Sequence, residues 1–189
     1  MKKLFLGLMI FGSGNAFSQV LSEDFESVAT PALPNGWSAT TQATNGYTGY
    51  YTGDEADASA AGYWPVTSNG STSFAMTNDD VQNEILCDEL LISPTMDFTG
   101  LNNVQVSFLA YHDGNYGSGD ATVEGSVDGG ATWTIIETLT PLAVWESYAV
   151  SLAAYDNESS VLIGFRWNDG GDCAGMDNWG TGLAIDNVI

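Results

Sequence analysis

Twenty-four carboxylates face three basic side chains in this 189-residue chain, giving a formal charge of −21. Acids crowded at that density relieve their repulsion by coordinating a hard cation such as calcium, which takes about six to eight oxygens. The plainer alternative is an acidic coat that keeps an exported protein in solution. Acids cluster in sequence at Glu23-Asp24-Phe25-Glu26, Asp54-Glu55-Ala56-Asp57 and Asn78-Asp79-Asp80. The second lacks the sixth-position glycine and twelfth-position glutamate of an EF-hand loop. Either these acids ligate a metal, or they are solvated or cap turns through their own backbone. So negative a surface repels phosphate backbones and anionic lipid heads, so nucleic acid and membrane insertion are not expected.

Catalytic constellations are scarce. His112 is the single histidine, which removes the histidine pairs of zinc hydrolases. A serine triad would have to use it, and no G-x-S-x-G elbow is present. Cys87 has no cationic neighbour in sequence to lower its pKa. Carboxylate pairs for glycoside hydrolysis arise by chance among 24 acids and carry no weight. The expectation is a protein that binds and does not catalyse.

The elements that position these residues are read from periodicity. Lys2 and Lys3, the apolar run 4–11 and Ala16-Phe17-Ser18 have the form of a secretory signal peptide over residues 1–18. An uncleaved buried helix is the alternative, and the run is shorter than the roughly 20 residues of a membrane span. Without the leader Arg166 is the one cation left, and the charge becomes 1 − 24 = −23. Residues 19–189 read as one domain. Period-two alternation recurs at Val104-Val106-Phe108-Ala110, Ala121-Val123-Gly125-Val127, Val161-Ile163-Phe165-Trp167 and Leu183-Ile185-Ile189. Strands are also expected over 133–139 and 145–152. Turn signals such as Asp128-Gly129-Gly130 separate them. The prediction is an all-β, two-sheet antiparallel sandwich of the jelly-roll kind.

Residues 40–80 are less regular and crowded with Tyr47, Tyr50, Tyr51, Tyr63 and Trp64. Tyr50, Tyr51 and Trp64 are candidate ligand-binding residues that stack on sugar rings; alternatively these rings cover the sheets, since each carries a large apolar area. Ser126 to Trp133 reads S-x-D-x-G-x-T-W and resembles an Asp-box hairpin, a structural turn. Arg166 is expected to pair with a carboxylate. Cys87 and Cys173, in an exported chain, either form a disulfide or remain two buried thiols.

Several motifs together, in order, resemble the cleaved-adhesin and choice-of-anchor J domains of Bacteroidetes surface proteins, related in fold to MAM domains. They are Phe25-Glu26, Leu33-Pro34-Asn35-Gly36-Trp37, Leu91-Ile92-Ser93-Pro94, the 126–133 hairpin, Trp145, Ser151-Leu152-Ala153-Ala154-Tyr155, Phe165-Arg166-Trp167, Trp179 and Ile185-Asp186-Asn187-Val188. The resemblance implies a jelly roll with structural calcium, its first and last strands paired, and Glu26 and Asp186 facing one ion. Asp79 and Asp80 are expected to supply further oxygens. It also implies a secreted or cell-surface adhesin-type domain that recognises an extracellular protein or glycan. A carbohydrate-binding module serving an enzyme and a structural spacer of a larger surface protein are the alternatives. Family members continue into a sorting domain, whereas this sequence stops at Ile189 inside its last predicted strand. The expectation is a chain truncated before such a domain, or one released by a simpler route.

Overall fold

The computed structural model describes residues 18–41, 49–82, 88–114, 120–169 and 180–189. Cys87, Cys173, Tyr47 and Trp179 lie outside the described residues.

Alternation translates directly into strands with one buried face. In β9 (Leu162–Asn168), Ile163, Phe165 and Trp167 point into the core, while Leu162, Gly164 and Arg166 face outward. β9 is flanked by β4 (Glu89–Ile92) and β6 (Asp120–Ser126), both antiparallel. β1 (Ser38–Thr40) and β7 (Thr134–Thr138) form the edges, giving the order β1-β4-β9-β6-β7. The second five-stranded sheet runs β2-β3-β10-β5-β8. It contains β2 (Tyr51–Gly53), β3 (Phe74–Asn78), β5 (Gln105–His112), β8 (Leu142–Ser151) and β10 (Gly182–Asp186). The two sheets enclose a core that includes Phe98, Phe108, Leu152, Phe165 and Ile185. The result is the all-β, two-sheet jelly roll read from the sequence.

The hairpin between β6 and β7 is built as its residue types require. Asp128 accepts from the Thr132 backbone N–H at 3.0 Å and from its hydroxyl at 2.6 Å. Ser126 Oγ donates to Asp128 at 2.8 Å and accepts from the Gly130 N–H at 3.0 Å. Gly129 and Gly130 take φ of 76° and 88°, which side chains resist. These donors, the Thr132 hydroxyl first, hold the Asp128 carboxyl down at about 2. On the outer face of β9, Gly164 leaves room for Trp133, whose ring would lie 2.9 Å from any Cβ there. Arg166 beside it donates twice to Glu124, both at 2.8 Å, and also binds Asp88.

β10 occupies the centre of the second sheet, between β3 and β5. Leu183 and Ile185 enter the core, so Ala184 and Asp186 face out. Asn187 then adopts φ 50°, which breaks the alternation. Val188, not Ile189, consequently turns inward: Val188 is 1% exposed and Ile189 is 55%. This corrects the sequence reading, in which Ile189 continued the apolar face. Glu23 pairs with Val188 through two 2.9 Å backbone bonds, so the two ends of the described chain lie side by side.

Residues 54–73 cross the outer face of the second sheet as a strap. The strap starts with α1 (Glu55–Ala58), and the acids expected as a cluster are its capping box: Asp54 accepts from Ala56 and Asp57 N–H, and Asp57 accepts from Asp54 N–H. Beyond α1, Trp64 and Val66 are buried on Phe74, Met76, Tyr111 and Ala184 as a second apolar cluster.

Candidate functional site

Glu26 and Asp186, 160 residues apart in sequence, converge where the strap returns to the sheet. Phe25 sets up the first of them. Its φ of 55° sends its ring into the core, 5.2 Å from Trp37, and leaves Glu26 on the outside. Glu26 Oε1 accepts from the backbone N–H of Thr72 at 2.6 Å and of Ser73 at 3.0 Å, and Oε2 accepts from the Thr72 hydroxyl. Those donors, the Thr72 hydroxyl first, hold its carboxyl below the ordinary carboxylate range.

Asp186 lies on the same outer face of β10, fully buried beneath the strap. It accepts from Asn69 Nδ2 at 2.6 Å, from Asn187 N at 2.7 Å and from Asn187 Nδ2 at 3.2 Å. Burial pushes its carboxyl up. Hydrogen bonds from Ser71, Asn69 and Asn187 oppose that rise, and the negative charge of Glu26 adds to it. One polar turn, residues 67–73, therefore bridges two like-charged groups from opposite ends of the chain.

The pair is met by N–H and O–H donors: Asn69 turns its Nδ2 to Asp186, while its Oδ1 accepts from the Ser71 N–H at 2.9 Å. A hard cation would find two carboxylates and the hydroxyl oxygens of Ser71 and Thr72 here, and an amide oxygen only if Asn69 turned over. Among the described residues no group of three or more His, Cys, Asp or Glu gathers in metal-binding fashion. Any ion at Glu26 and Asp186 thus relies on neutral oxygens to complete its shell.

Asp79 and Asp80 do not join this pair. Asp79 N bonds Thr181 O at the opposite end of β10, five residues from Asp186, or about 17 Å at strand rise. The short α2 (Asp79–Gln82) begins there, where the chain leaves β3. Asp80 sits near Asp113, whose Oδ1 accepts from the Thr181 hydroxyl. Burial and then the Asp113 charge push the Asp80 carboxyl up to about 6. The expectation that all four acids share one ion is corrected: the register of β3 on β10 separates them.

Two of the three expected ligand-stacking rings are also corrected. Tyr50 belongs to the sandwich core at 2% exposed, and Trp64 is 0% exposed beneath the strap. Their large apolar area is satisfied by packing. Tyr51 is half-buried, and its hydroxyl is pushed up to about 12 by burial and by the Asp57 carboxylate. A cavity of about 570 Å³ opens between the sheets, lined in part by Leu21, Phe98, Val106, Leu152 and Val188. It lies on the inner side of the second sheet, and so is separate from the carboxylate pair on the outer side. Sequence reasoning missed Asn69, Ser71 and Thr72; the Asn69-Gly70 turn signal was the one available hint.

No protein-family model matches the chain, and no curated protein sequence matches it. Solved structures do. The K1 cleaved adhesin domain of Lys-gingipain from Porphyromonas gingivalis W83 superposes with a TM-score of 0.60 at 19% identity, covering 90% of this chain and 96% of that one. The K2 cleaved adhesin domain of Lys-gingipain gives 0.60 at 18%, covering 89% and 95%. The CBM22-2 xylan-binding domain from Paenibacillus barcinonensis Xyn10C gives 0.52 at 11%, covering 89% and 96%. At these identities the likeness is one of fold: a jelly roll of the kind found in adhesin and carbohydrate-binding domains.

Proposed function

We propose that this chain is a secreted, adhesin-type binding domain, and that a calcium ion held by Glu26 and Asp186 pins its N-terminal segment to its last strand, β10. The observation that carries the reading is the convergence of these two acids, one buried and one exposed, under a single turn of oxygen-bearing side chains. Asn69, Ser71 and Thr72 would complete the shell. When bound, the ion neutralises two facing carboxylates; the protein's own residues position those acids and exclude water from Asp186.

Fold likeness to cleaved adhesin domains and to a xylan-binding domain supports an extracellular protein or a glycan as the ligand. The sequence charge narrows the choice further, because −21 disfavours anionic polymers and favours neutral sugars or basic proteins. Two measurements test this. Calcium at saturating concentration should raise the melting temperature and EDTA should lower it; no change with either sinks the metal assignment. Neutral-glycan arrays and panels of matrix proteins should then yield a saturable ligand. A domain that binds nothing on either panel is a spacer.

A further inference from the structure

The four sheet edges are not equally protected. An edge strand presents a row of unpaired N–H and C=O groups, which proteins hide by shortness, bulges, proline, lysine or a covering segment. β1 and β2 have three residues each, and β2 is also covered, with Thr52 N–H donating to Pro31 O at 3.4 Å and the Thr52 hydroxyl to Ala32 O at 2.8 Å. β7 has five residues and a bulge. β8 has ten, and after a bulge near its start Trp145 to Ser151 hold unbroken register with Tyr111 to Gln105 of β5. Among the described residues no strand pairs with the other side of β8. Its sequence, Leu-Ala-Val-Trp-Glu-Ser-Tyr-Ala-Val-Ser, has neither proline nor lysine, and Leu142 and Val144 stand exposed.

The side chains along this edge say what would pair with it. Glu146, Tyr148 and Val150 stand opposite Ala110, Phe108 and Val106 and so turn inward, with Tyr148 stacked on Phe108 at 5.2 Å. Trp145, Ser147 and Ala149 turn outward. Burial pushes the Tyr148 hydroxyl up, and the charges of Glu146 and of Glu137 from β7 add to the rise. Two carboxylates, one from each sheet, therefore flank Tyr148 where β7 and β8 border the same open side of the sandwich. We propose that the free edge of β8 is a docking site at which an extended segment of a cationic protein, basic and apolar in alternation, adds to the second sheet as a further strand. Continuing the ladder takes a polypeptide, because a glycan lacks alternating N–H and C=O groups. A second copy of the chain is disfavoured, since pairing β8 with itself brings together two molecules of charge −21. The basic side chains of the added strand would face Glu137 and Glu146, and its apolar ones would lie along Ala149 and the edge of Trp145. The inference rests on the reading of the chain as a binding domain and needs no metal.

A labelled peptide of about eight residues, Lys and Val in alternation, titrated into the full chain by fluorescence anisotropy and followed by hydrogen exchange, tests the site. It should bind saturably and slow alternate amides of 145–151 at least about tenfold, while those of β1 and β2 change less than about twofold. A Lys-Pro peptide has the same charge but lacks half the amide donors, and should bind at least about tenfold more weakly. Equal affinity for the two peptides, or binding that leaves 145–151 unprotected, reduces the effect to charge attraction and overturns the site. Glu146→Lys, with circular dichroism unchanged, should weaken the Lys-Val peptide at least about tenfold; affinity within about twofold of the parent overturns the charge pairing. Protection of 145–151 that appears without peptide and grows with protein concentration makes a second copy the occupant and overturns the choice of partner. If the peptide fails while a matrix protein or a glycan binds, the edge site falls and the binding-domain reading stands; if nothing binds, both fall.

Discussion

Replacing Trp64 with alanine separates a packing role from a ligand-stacking role more cleanly than any other single change. The indole is 0% exposed, sits among Phe74, Met76, Tyr111 and Ala184, and meets Tyr111 edge-on at 6.3 Å. Truncating a buried aromatic to alanine costs about 3–5 kcal/mol. Here one wall of the site is a strap that can settle inward, so the lower end, about 3 kcal/mol, is expected. For a domain of about 150–250 residues each kcal/mol shifts the melting temperature by about 2–4 °C, so the fall is about 6–12 °C. Trp64→Phe keeps most of the apolar area and should cost about 1–2 kcal/mol. Urea unfolding followed by far-ultraviolet circular dichroism reads both variants, with the slope checked for constancy. If Trp64→Ala unfolds within about 0.5 kcal/mol of the parent, as a surface substitution would, the burial argument is wrong and the ring is free to serve a ligand.

Three further substitutions follow from the same structure. Arg166→Met leaves the buried Glu124 carboxylate without its bidentate partner and should destabilise by about 2–4 kcal/mol; adding Glu124→Leu should recover most of the loss, read as a double-mutant cycle in urea. Gly182→Ala would bring a Cβ to 2.2 Å from Thr77 O at φ 149°, so a loss of at least about 2 kcal/mol is expected in the same assay. Asp80, near Asp113, has its carboxyl raised to about 6 in the folded state, so the folded protein holds more protons than the unfolded one between about pH 4 and 6. Stability from this group is therefore gained as pH falls through 6, and Asp80→Asn should raise the melting temperature at pH 7.5 and add nothing at pH 4; an equal gain at both would show that the carboxylate is not strained.

How much the sequence disclosed depends on whether a segment buries one face or two. β5 and β9 bury one main face and show it as period two; Val106, Phe108, Ile163 and Phe165 stand where alternation puts them. In β6 residues 121–126 are all buried, and alternation survives because the outer face is polar, with Thr122, Glu124 and Ser126. β3 has all five residues buried, because the strap covers the face that would otherwise be wet. Its sequence, Phe-Ala-Met-Thr-Asn, therefore carries no alternation to read. The same covering hides Trp64: composition shows an aromatic in an irregular segment, and only the strap's path shows which side of it faces the sheet. Glu26 and Asp186 were legible through family resemblance, not through spacing, since no local pattern connects residues 160 apart. Asn69, Ser71 and Thr72 act through a turn with no periodicity, and their roles exist only once β10 and the N-terminal segment are adjacent.

The covering of that sheet also constrains how any ligand can be gripped. Trp64, Tyr111 and Phe74 are spent on packing the strap, so among the described residues the strap leaves no bare aromatic floor on the outer face of the second sheet. Arg166, the one Lys or Arg outside residues 1–18, is tied to Glu124 and Asp88. A partner thus meets a surface dominated by hydrogen-bond acceptors, and it must bring the donors itself: the hydroxyls of a neutral sugar, or the lysines and arginines of a basic protein. Salt separates the two. Binding of a basic protein should weaken steeply between about 50 and 500 mM salt, as the Debye length shrinks to a few ångströms. Binding of a neutral glycan should hardly respond, because no net charge is screened. A ligand that is anionic and binds more tightly at low salt would contradict the electrostatic reasoning altogether, since nothing in the described surface could attract it.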